Sequence, residues 1–156
     1  MNKALPKSGK QQDDEPDYAL EEQIGFLLRR AHQRASAIFQ QVFEEQSLTP
    51  QQFAVLAKLY EVGEVTQNKL GRLVDMDPAS MQGVIQRLKL SGLIKRVQDP
   101  LHKRRLKVQL SPGGKRLVKN CFSLGLSVSE QTLAPLDGTQ QRDLIKLLKA
   151  ITEQPS

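Results

Sequence analysis

Three cap residues that each stand directly before a proline constrain the fold of this chain more than any other feature: Thr49-Pro50, Asp77-Pro78 and Ser111-Pro112. The side-chain oxygen of Thr, Asp or Ser accepts a hydrogen bond from the first turn of a helix. Proline suits the first helical position because the N–H that it lacks would have no partner there. The three dipeptides therefore predict helices that begin at residues 50, 78 and 112.

Apolar residues spaced three or four apart extend the helical pattern toward the N-terminus. The longest stripe lies within 18–46 and consists of Leu20, Ile24, Leu27, Leu28, Ala31, Ala35, Ile38 and Val42. Such a long helix either lies in the core or turns part of its stripe toward a second subunit. Residues 1–17 have little to bury, so we expect a flexible tail there.

The sequence predicts two more helices between residues 66 and 92. Thr66 caps a helix of little more than two turns. Its inward residues are Leu70, Leu73 and Val74. The next helix covers Pro78–Ser91 and ends at Gly92. Its buried stripe is Met81, Val84, Ile85 and Leu88.

Two short β-prone runs, 93–97 and 106–110, follow that helix and predict a hairpin with a basic tip. Two further helices are expected after Ser111, although Gly125 weakens the prediction in the middle of the first of them. The sequence thus predicts a mainly α-helical fold with a small β-hairpin.

The positive charge is concentrated in this middle region. The chain has a net charge of +6, and residues 64–119 hold 13 Lys and Arg against 4 Asp and Glu. Segregated positive charge favours a polyanionic partner, because it determines which face of the protein meets the anion.

A short helix, a turn, a second helix and a basic hairpin follow one another as in a winged helix-turn-helix, whose second helix enters the major groove of DNA. The outward residues expected to read bases are Ser80, Gln82, Gln86 and Arg87. The hairpin residues expected to meet phosphates or the minor groove are Lys103, Arg104 and Arg105. Contacts to the DNA backbone are expected from Thr66, Asn68 and Lys69. The alternative interpretation makes these residues an ordinary solvated helix face and a solubilising loop.

The run LSGLIKRVQDPLHKRRLKVQLSPGGKRL resembles the wing signature of MarR-type transcriptional regulators, Leu-x-x-x-Gly-Leu-Ile-x-Arg, Asp-Pro-x-Asp-x-Arg and Leu-Thr-x-x-Gly. The matching residues are Leu88, Gly92, Leu93, Ile94, Arg96, Asp99, Pro100, Arg104, Leu110 and Gly114. Ser111 replaces the usual Thr and keeps the capping hydroxyl. His102 replaces the Asp that pairs with the wing arginine in the family, so Arg104 is expected either to pair with Asp99 or to be freer to meet phosphate, with a more mobile wing.

The resemblance implies a dimer in which 18–48 and 112–153 form the helical dimerisation region, while 49–111 form the DNA-binding region. It also implies a repressor that leaves a pseudo-palindromic operator when a small, often aromatic and acidic ligand binds. Arg29, Arg30, His32 and Arg34 could meet the carboxylate of that ligand, with Arg29 and His32 as the leading candidates. A low-specificity or architectural nucleic-acid-binding protein without an effector is the alternative function.

Other classes of function find little support in the residues. No arrangement of nucleophile and base suggests an enzyme, and two histidines and one cysteine predict neither a metal site nor a cofactor. Cys121 lies on an apolar stripe, which predicts a buried core residue. A cysteine-based redox-sensing regulator is the less favoured alternative. The sequence has no signal peptide and no membrane-spanning apolar run, so we expect a cytoplasmic protein.

Overall fold

The computed structural model describes residues 16–153, and its helices and strands follow the predicted order. They are α1 (Ile24–Val42), α2 (Pro50–Val62), β1 (Val65–Thr66), α3 (Gln67–Leu73), α4 (Pro78–Leu90), β2 (Ile94–Gln98), β3 (Leu106–Leu110), α5 (Pro112–Leu133) and α6 (Gly138–Thr152). Single turns of 3₁₀ helix lie at Leu20–Glu22 and Glu44–Gln46. The predicted tail, 1–17, lies outside the described residues except for its last two.

All three cap-and-proline predictions are confirmed. Thr49 Oγ1 accepts from Gln52 N at 3.1 Å, and the Gln52 side chain accepts from Thr49 N, which completes a capping box. Asp77 caps α4 and Ser111 caps α5, each by accepting a backbone N–H at 3.0 Å. Gly125 does not interrupt α5, which continues to Leu133.

The hairpin is part of a three-stranded antiparallel sheet with the order β1-β3-β2. β2 runs from Ile94 to Gln98, one residue later than predicted. The strand β1, which pairs Val65 with Val108, was missed because two residues show no alternation of apolar and polar side chains. Pairing with β3 therefore ties the residues before α3 to the hairpin.

The main core lies beneath α2, α4 and the sheet. The predicted stripe of α4 is confirmed, since Met81, Val84, Ile85 and Leu88 are at most 3% exposed. Leu73 was wrongly predicted to face inward: it is the last residue of α3 and is 40% exposed. Val74 and Leu70 cover the core at that end of the helix instead.

The first long helix is shorter than predicted. α1 begins at Ile24 because Gln23 has an extended backbone and separates it from the preceding 3₁₀ turn. It ends at Val42, and Phe43 turns its ring into an aromatic cluster with Phe39, 4.1 Å between ring centroids. Cys121 of α5 is buried against this cluster, as expected for a core residue.

Large apolar side chains remain exposed on the helices at both ends of the chain. The stripe of α1 is exposed over its first two turns, and α6 buries none of its residues within a single chain. The most exposed members of this set are Ile24, Leu126, Leu147 and Ile151, at 61–66%. Free apolar surface on this scale is typical of an interface with another chain.

The start of α5 packs tightly against the end of the α4–β2 connection. Ser111 Oγ donates to Gly92 O at 2.6 Å, and Ser111 N donates to Leu93 O at 3.0 Å. A Cβ on Gly114 would lie 2.0 Å from Leu93 O, so only glycine fits this contact. Within residues 16–153, no helix is both long and apolar enough to cross a membrane.

Candidate nucleic-acid interface

The helices α3 and α4 form the helix-turn-helix. Asp75 takes a left-handed conformation (φ 53°) in the turn, and Met76 N donates to Gly71 O at 2.9 Å. A Cβ on Gly71 would lie only 3.0 Å from Met81 Cγ. Glycine at this position therefore lets α3 and α4 approach closely.

The outer face of α4 is exposed and contains no acidic residue. Gln86 and Arg87 extend from it into solvent, and Ser80 lies in its first turn. Ser80 Oγ donates to Asp77 Oδ1 at 2.5 Å, and this hydrogen bond lowers the pKa of Asp77. The Ser80 hydroxyl therefore already donates its hydrogen to the cap residue, and toward a base it can only accept a hydrogen bond.

Gln82 lies beside a cleft between α3 and α4. The cleft is lined by Gln67, Asn68, Arg72, Pro78 and other residues of the two helices. Gln67 Nε2 donates to Gln82 Oε1 at 3.1 Å across it. The side chain of a predicted base-reading residue is therefore already held by a neighbouring helix.

The tip of the hairpin, residues 99–105, is ordered by backbone and side-chain hydrogen bonds around Asp99. Asp99 Oδ1 accepts from Leu101 N at 3.0 Å, and Asp99 N donates to Arg105 O at 3.2 Å. The side chain of Gln98 donates to Lys103 O at 3.1 Å. These contacts hold the cationic side chains of the tip outward, where Lys103, Arg104 and Arg105 are all exposed.

Asp99 pairs with Lys107 rather than with Arg104. Its carboxylate lies 3.8 Å from Lys107 Nζ, which is also 3.4 Å from Glu64 Oε1. The N–H of Leu101 and then the charge of Lys107 lower the pKa of Asp99, which is only 7% exposed. Within residues 16–153 no acidic group lies within 4.0 Å of Arg104. Of the two expectations for Arg104, pairing with Asp99 or freedom to meet phosphate, the structure fits the second.

Three arginines line one open cleft between α3 and the wing. Arg72 of α3 joins Arg104 and Arg105 there, beside Thr66 and Asn68. Arg72 was not among the DNA-contacting residues predicted from the sequence, which gave no reason to group it with the wing. That grouping depends on the pairing of β1 with β3, which the sequence did not predict.

The residues predicted to contact the DNA backbone differ in how free their side chains are to do so. Thr66 Oγ1 accepts from Lys69 N at 3.3 Å, so its side chain serves first as the cap of α3. Asn68 and Lys69 are exposed on the first turn of that helix. Thr66 and Asn68 line the wing cleft, and Lys69 follows Asn68 on the same helical turn.

The residues predicted to bind a ligand lie elsewhere, on α1. The Arg29 guanidinium carbon lies 5.4 Å from the centroid of the Phe26 ring, and that of Arg30 lies at 5.8 Å. His32 Nε2 is 3.4 Å from Ser36 Oγ. Both Arg29 and His32 are exposed in the single chain, outside the two clefts described above.

The single cysteine of the chain, Cys121, is buried in α5. Burial raises the pKa of the Cys121 thiol, which keeps it protonated at neutral pH. Residues 16–153 contain no cluster of three or more His, Cys, Asp or Glu side chains that could hold a metal ion.

Known proteins are similar to this chain in sequence and architecture. A profile of the MarR family matches residues 46–105. The HTH-type transcriptional repressor NicR of Pseudomonas putida is 31% identical over 153 residues, which make up 98% of this chain and 96% of NicR. The crystal structure of a probable transcriptional regulator from Pseudomonas aeruginosa is 43% identical, with a TM-score of 0.82 over 85% of this chain and 99% of that one. Bordetella bronchiseptica BpsR, whose DNA binding is regulated by 6-hydroxynicotinic acid, is 33% identical, with a TM-score of 0.85 over 88% of this chain and 99% of BpsR.

Proposed function

This chain belongs to the MarR family of DNA-binding transcriptional regulators, and we propose that it is a dimeric repressor that leaves a pseudo-palindromic operator when a small aromatic acid binds. Residues 49–111 contact the DNA, and 18–48 together with 112–153 hold the dimer. The observation that carries this proposal is the exposed, acid-free face of α4 beside a cleft lined by three arginines.

The two parts of this surface have different roles. α4 lies in the major groove, where Gln82, Gln86 and Arg87 read base edges and Ser80 accepts a hydrogen bond. Lys103, Arg104 and Arg105 of the wing contact phosphates or the minor groove. Thr66, Asn68, Lys69 and, beyond the sequence prediction, Arg72 contact the backbone beside the wing.

Dimerisation follows from the apolar residues left exposed on α1, α5 and α6. A two-fold axis through these helices places two copies of α4 in successive major grooves on one side of the DNA. The operator is then a pseudo-palindrome with half-sites about 10 base pairs apart, centre to centre.

Binding-site selection from random duplexes tests this function, followed by affinity measurements on the selected site and on random DNA. We expect a symmetric site that binds a protein dimer and is preferred by a factor of about a thousand or more. Equal affinity for the selected and random duplexes would instead indicate a low-specificity or architectural DNA-binding protein.

The effector proposal rests on the chemistry of α1. A planar aromatic acid could direct its carboxylate to Arg29, whose guanidinium lies over the Phe26 ring, with His32 one turn away on the same helix. BpsR is regulated by 6-hydroxynicotinic acid, so that compound is the first to test.

Thermal stability and operator affinity should both respond to the effector. Binding of 6-hydroxynicotinic acid should raise the melting temperature of the protein and weaken operator binding. Arg29→Gln should reduce both effects, whereas Arg142→Gln on α6 should not. An unchanged response in Arg29→Gln would remove Arg29 from the ligand site, and no response to any aromatic carboxylate would refute the effector class.

A further inference from the structure

The first residue of α3 contacts the outer face of α4. Gln67 Nε2 donates to Gln82 Oε1 at 3.1 Å, and both side chains line the cleft between the two helices. Gln82 is exposed, whereas Gln67 is half-buried. The proposed function uses Gln82 to read a base but leaves Gln67 without a role.

We propose that Gln67 determines base specificity by holding the Gln82 carboxamide in one orientation. This inference rests on the proposed function, in which Gln82 faces the major groove. A free glutamine can present either its carbonyl oxygen or its NH₂ group, because half a turn about its last bond exchanges them. The hydrogen bond from Gln67 turns Oε1 toward α3, so Nε2, the other branch of the same planar amide, is directed away from Gln67.

Gln67 is itself well placed to act as a fixed donor. It directly follows Thr66, whose side chain caps α3 and whose backbone belongs to β1. Thr66 pairs with Lys107 of the central strand β3. The backbone of Gln67 is therefore held by both the helix and the sheet, and its half-buried side chain presents Nε2 to Gln82.

A fixed NH₂ donor selects among bases by the acceptors that they present. Guanine offers N7 and O6 side by side in the major groove, and one NH₂ group can donate to both. Adenine and thymine each offer an NH₂ group only one acceptor, N7 or O4, and the paired approach to adenine also needs Oε1, one of whose two lone pairs is taken by Gln67. Cytosine presents only a donor. Gln82 should therefore prefer guanine.

Three substitutions separate this role from a general effect on binding. Gln67→Met keeps the length of the side chain but cannot donate, so Gln82 becomes free to rotate. Gln67→Glu can only accept, so Gln82 Nε2 turns toward it and presents Oε1 to the DNA. Asn68→Asp adds the same charge one residue later, at a proposed backbone contact that has no hydrogen bond to Gln82, and it controls for repulsion between the carboxylate and phosphates.

The experiment measures the affinity of each variant for the selected operator with all four bases at every position. Comparison of wild type with Gln82→Ala first identifies the base pair that Gln82 reads. At that pair we expect wild type to prefer guanine by roughly 10- to 100-fold. Gln67→Met should flatten the preference, and Gln67→Glu should shift it toward adenine or cytosine. Asn68→Asp should weaken binding to all duplexes alike and keep the preference for guanine.

The possible results are distinguishable. If Gln67→Met and Gln67→Glu keep the wild-type order of bases, Gln67 has no part in specificity. A wild-type preference for an A·T pair in either orientation overturns the inferred orientation of the amide, because guanine in either strand gives a G·C pair at that position. If Gln82→Ala changes no base preference while the operator is still recognised, the placement of Gln82 in the proposed function fails as well, and that result is seen before Gln67 is tested.

Discussion

Replacing Gly114 with alanine should loosen the junction between the hairpin and α5. The added Cβ would lie 2.0 Å from the carbonyl oxygen of Leu93, and real Cβ atoms essentially never approach closer than 3.0 Å. Because the opposing atom belongs to the backbone, the start of α5 must move by about 1 Å or more. Such a shift weakens the two hydrogen bonds from Ser111 to the α4–β2 connection.

The loss of stability in Gly114→Ala follows from these contacts. Overpacking costs about 1–3 kcal/mol, and two hydrogen bonds contribute about 1 kcal/mol each. After the gain of up to about 1 kcal/mol that alanine brings by restricting the unfolded chain, the free energy of unfolding should fall by roughly 2–4 kcal/mol, a large part of the 5–15 kcal/mol that is typical of a protein. At about 2–4 °C per kcal/mol for a chain of this size, the melting temperature should fall by roughly 10 °C.

Thermal denaturation followed by circular dichroism measures this effect, and the neighbouring glycine supplies the control. A Cβ on Gly113 would meet nothing closer than 3.8 Å. Gly113→Ala should be neutral or stabilising by up to about 1 kcal/mol, because alanine restricts the unfolded chain. If Gly114→Ala and Gly113→Ala melt at the same temperature, the close packing of α5 against Leu93 does not limit stability and the reasoning is wrong.

Three further predictions concern charges and the cysteine. Arg72→Ala should reduce the slope of log affinity against log salt by about one unit, and Arg142→Ala should not; equal slopes in titrations of both variants would remove Arg72 from the DNA contacts. The contacts that lower the pKa of Asp99 stabilise the folded protein, and their full contribution is present at any pH above the ordinary aspartate pKa, near 3.9. This contribution is lost as the pH falls through the lowered pKa. Asp99→Asn should therefore reduce stability at neutral pH and flatten its loss in acid, as measured by urea denaturation. Cys121 should resist alkylation by iodoacetamide until the protein unfolds, and rapid labelling of the native protein would contradict its burial.

The helices were predictable from the sequence because their signals are local. Thr49, Asp77 and Ser111 each cap a helix through a hydrogen bond that spans three residues, so the residues that form it lie together in the chain. The buried stripe of α4 was equally visible, since its side chains repeat with the helical period.

The errors arose where a residue's environment depends on distant parts of the chain. β1 has only two residues, and it exists because Val65 meets Val108 more than 40 positions later. Leu73 has the spacing of a core residue, but α3 ends there and leaves it partly exposed. The sequence left two alternatives for the apolar stripe of α1, burial in the core of one chain or contact with a second subunit. The choice depends on a surface outside the chain itself.

The candidate site shows the same division. The outward face of α4 and the basic wing could be predicted from spacing and charge. The grouping of Arg72 with the wing and the contact between Gln67 and Gln82 could not, because both depend on how α3 sits against β3 and α4. The partner of Asp99 was also left open by the sequence, and the structure provides Lys107.

In the proposed function, α4 reads bases while the wing holds the DNA backbone. The most direct measurement compares wild type, Gln86→Ala and Arg104→Ala on the selected operator and on random DNA over a series of salt concentrations. We predict that Arg104→Ala lowers affinity for both duplexes and reduces the salt slope by about one unit, while Gln86→Ala lowers affinity for the operator alone and keeps the slope. The claim is contradicted if Gln86→Ala weakens binding to both duplexes equally, or if Arg104→Ala leaves the slope unchanged.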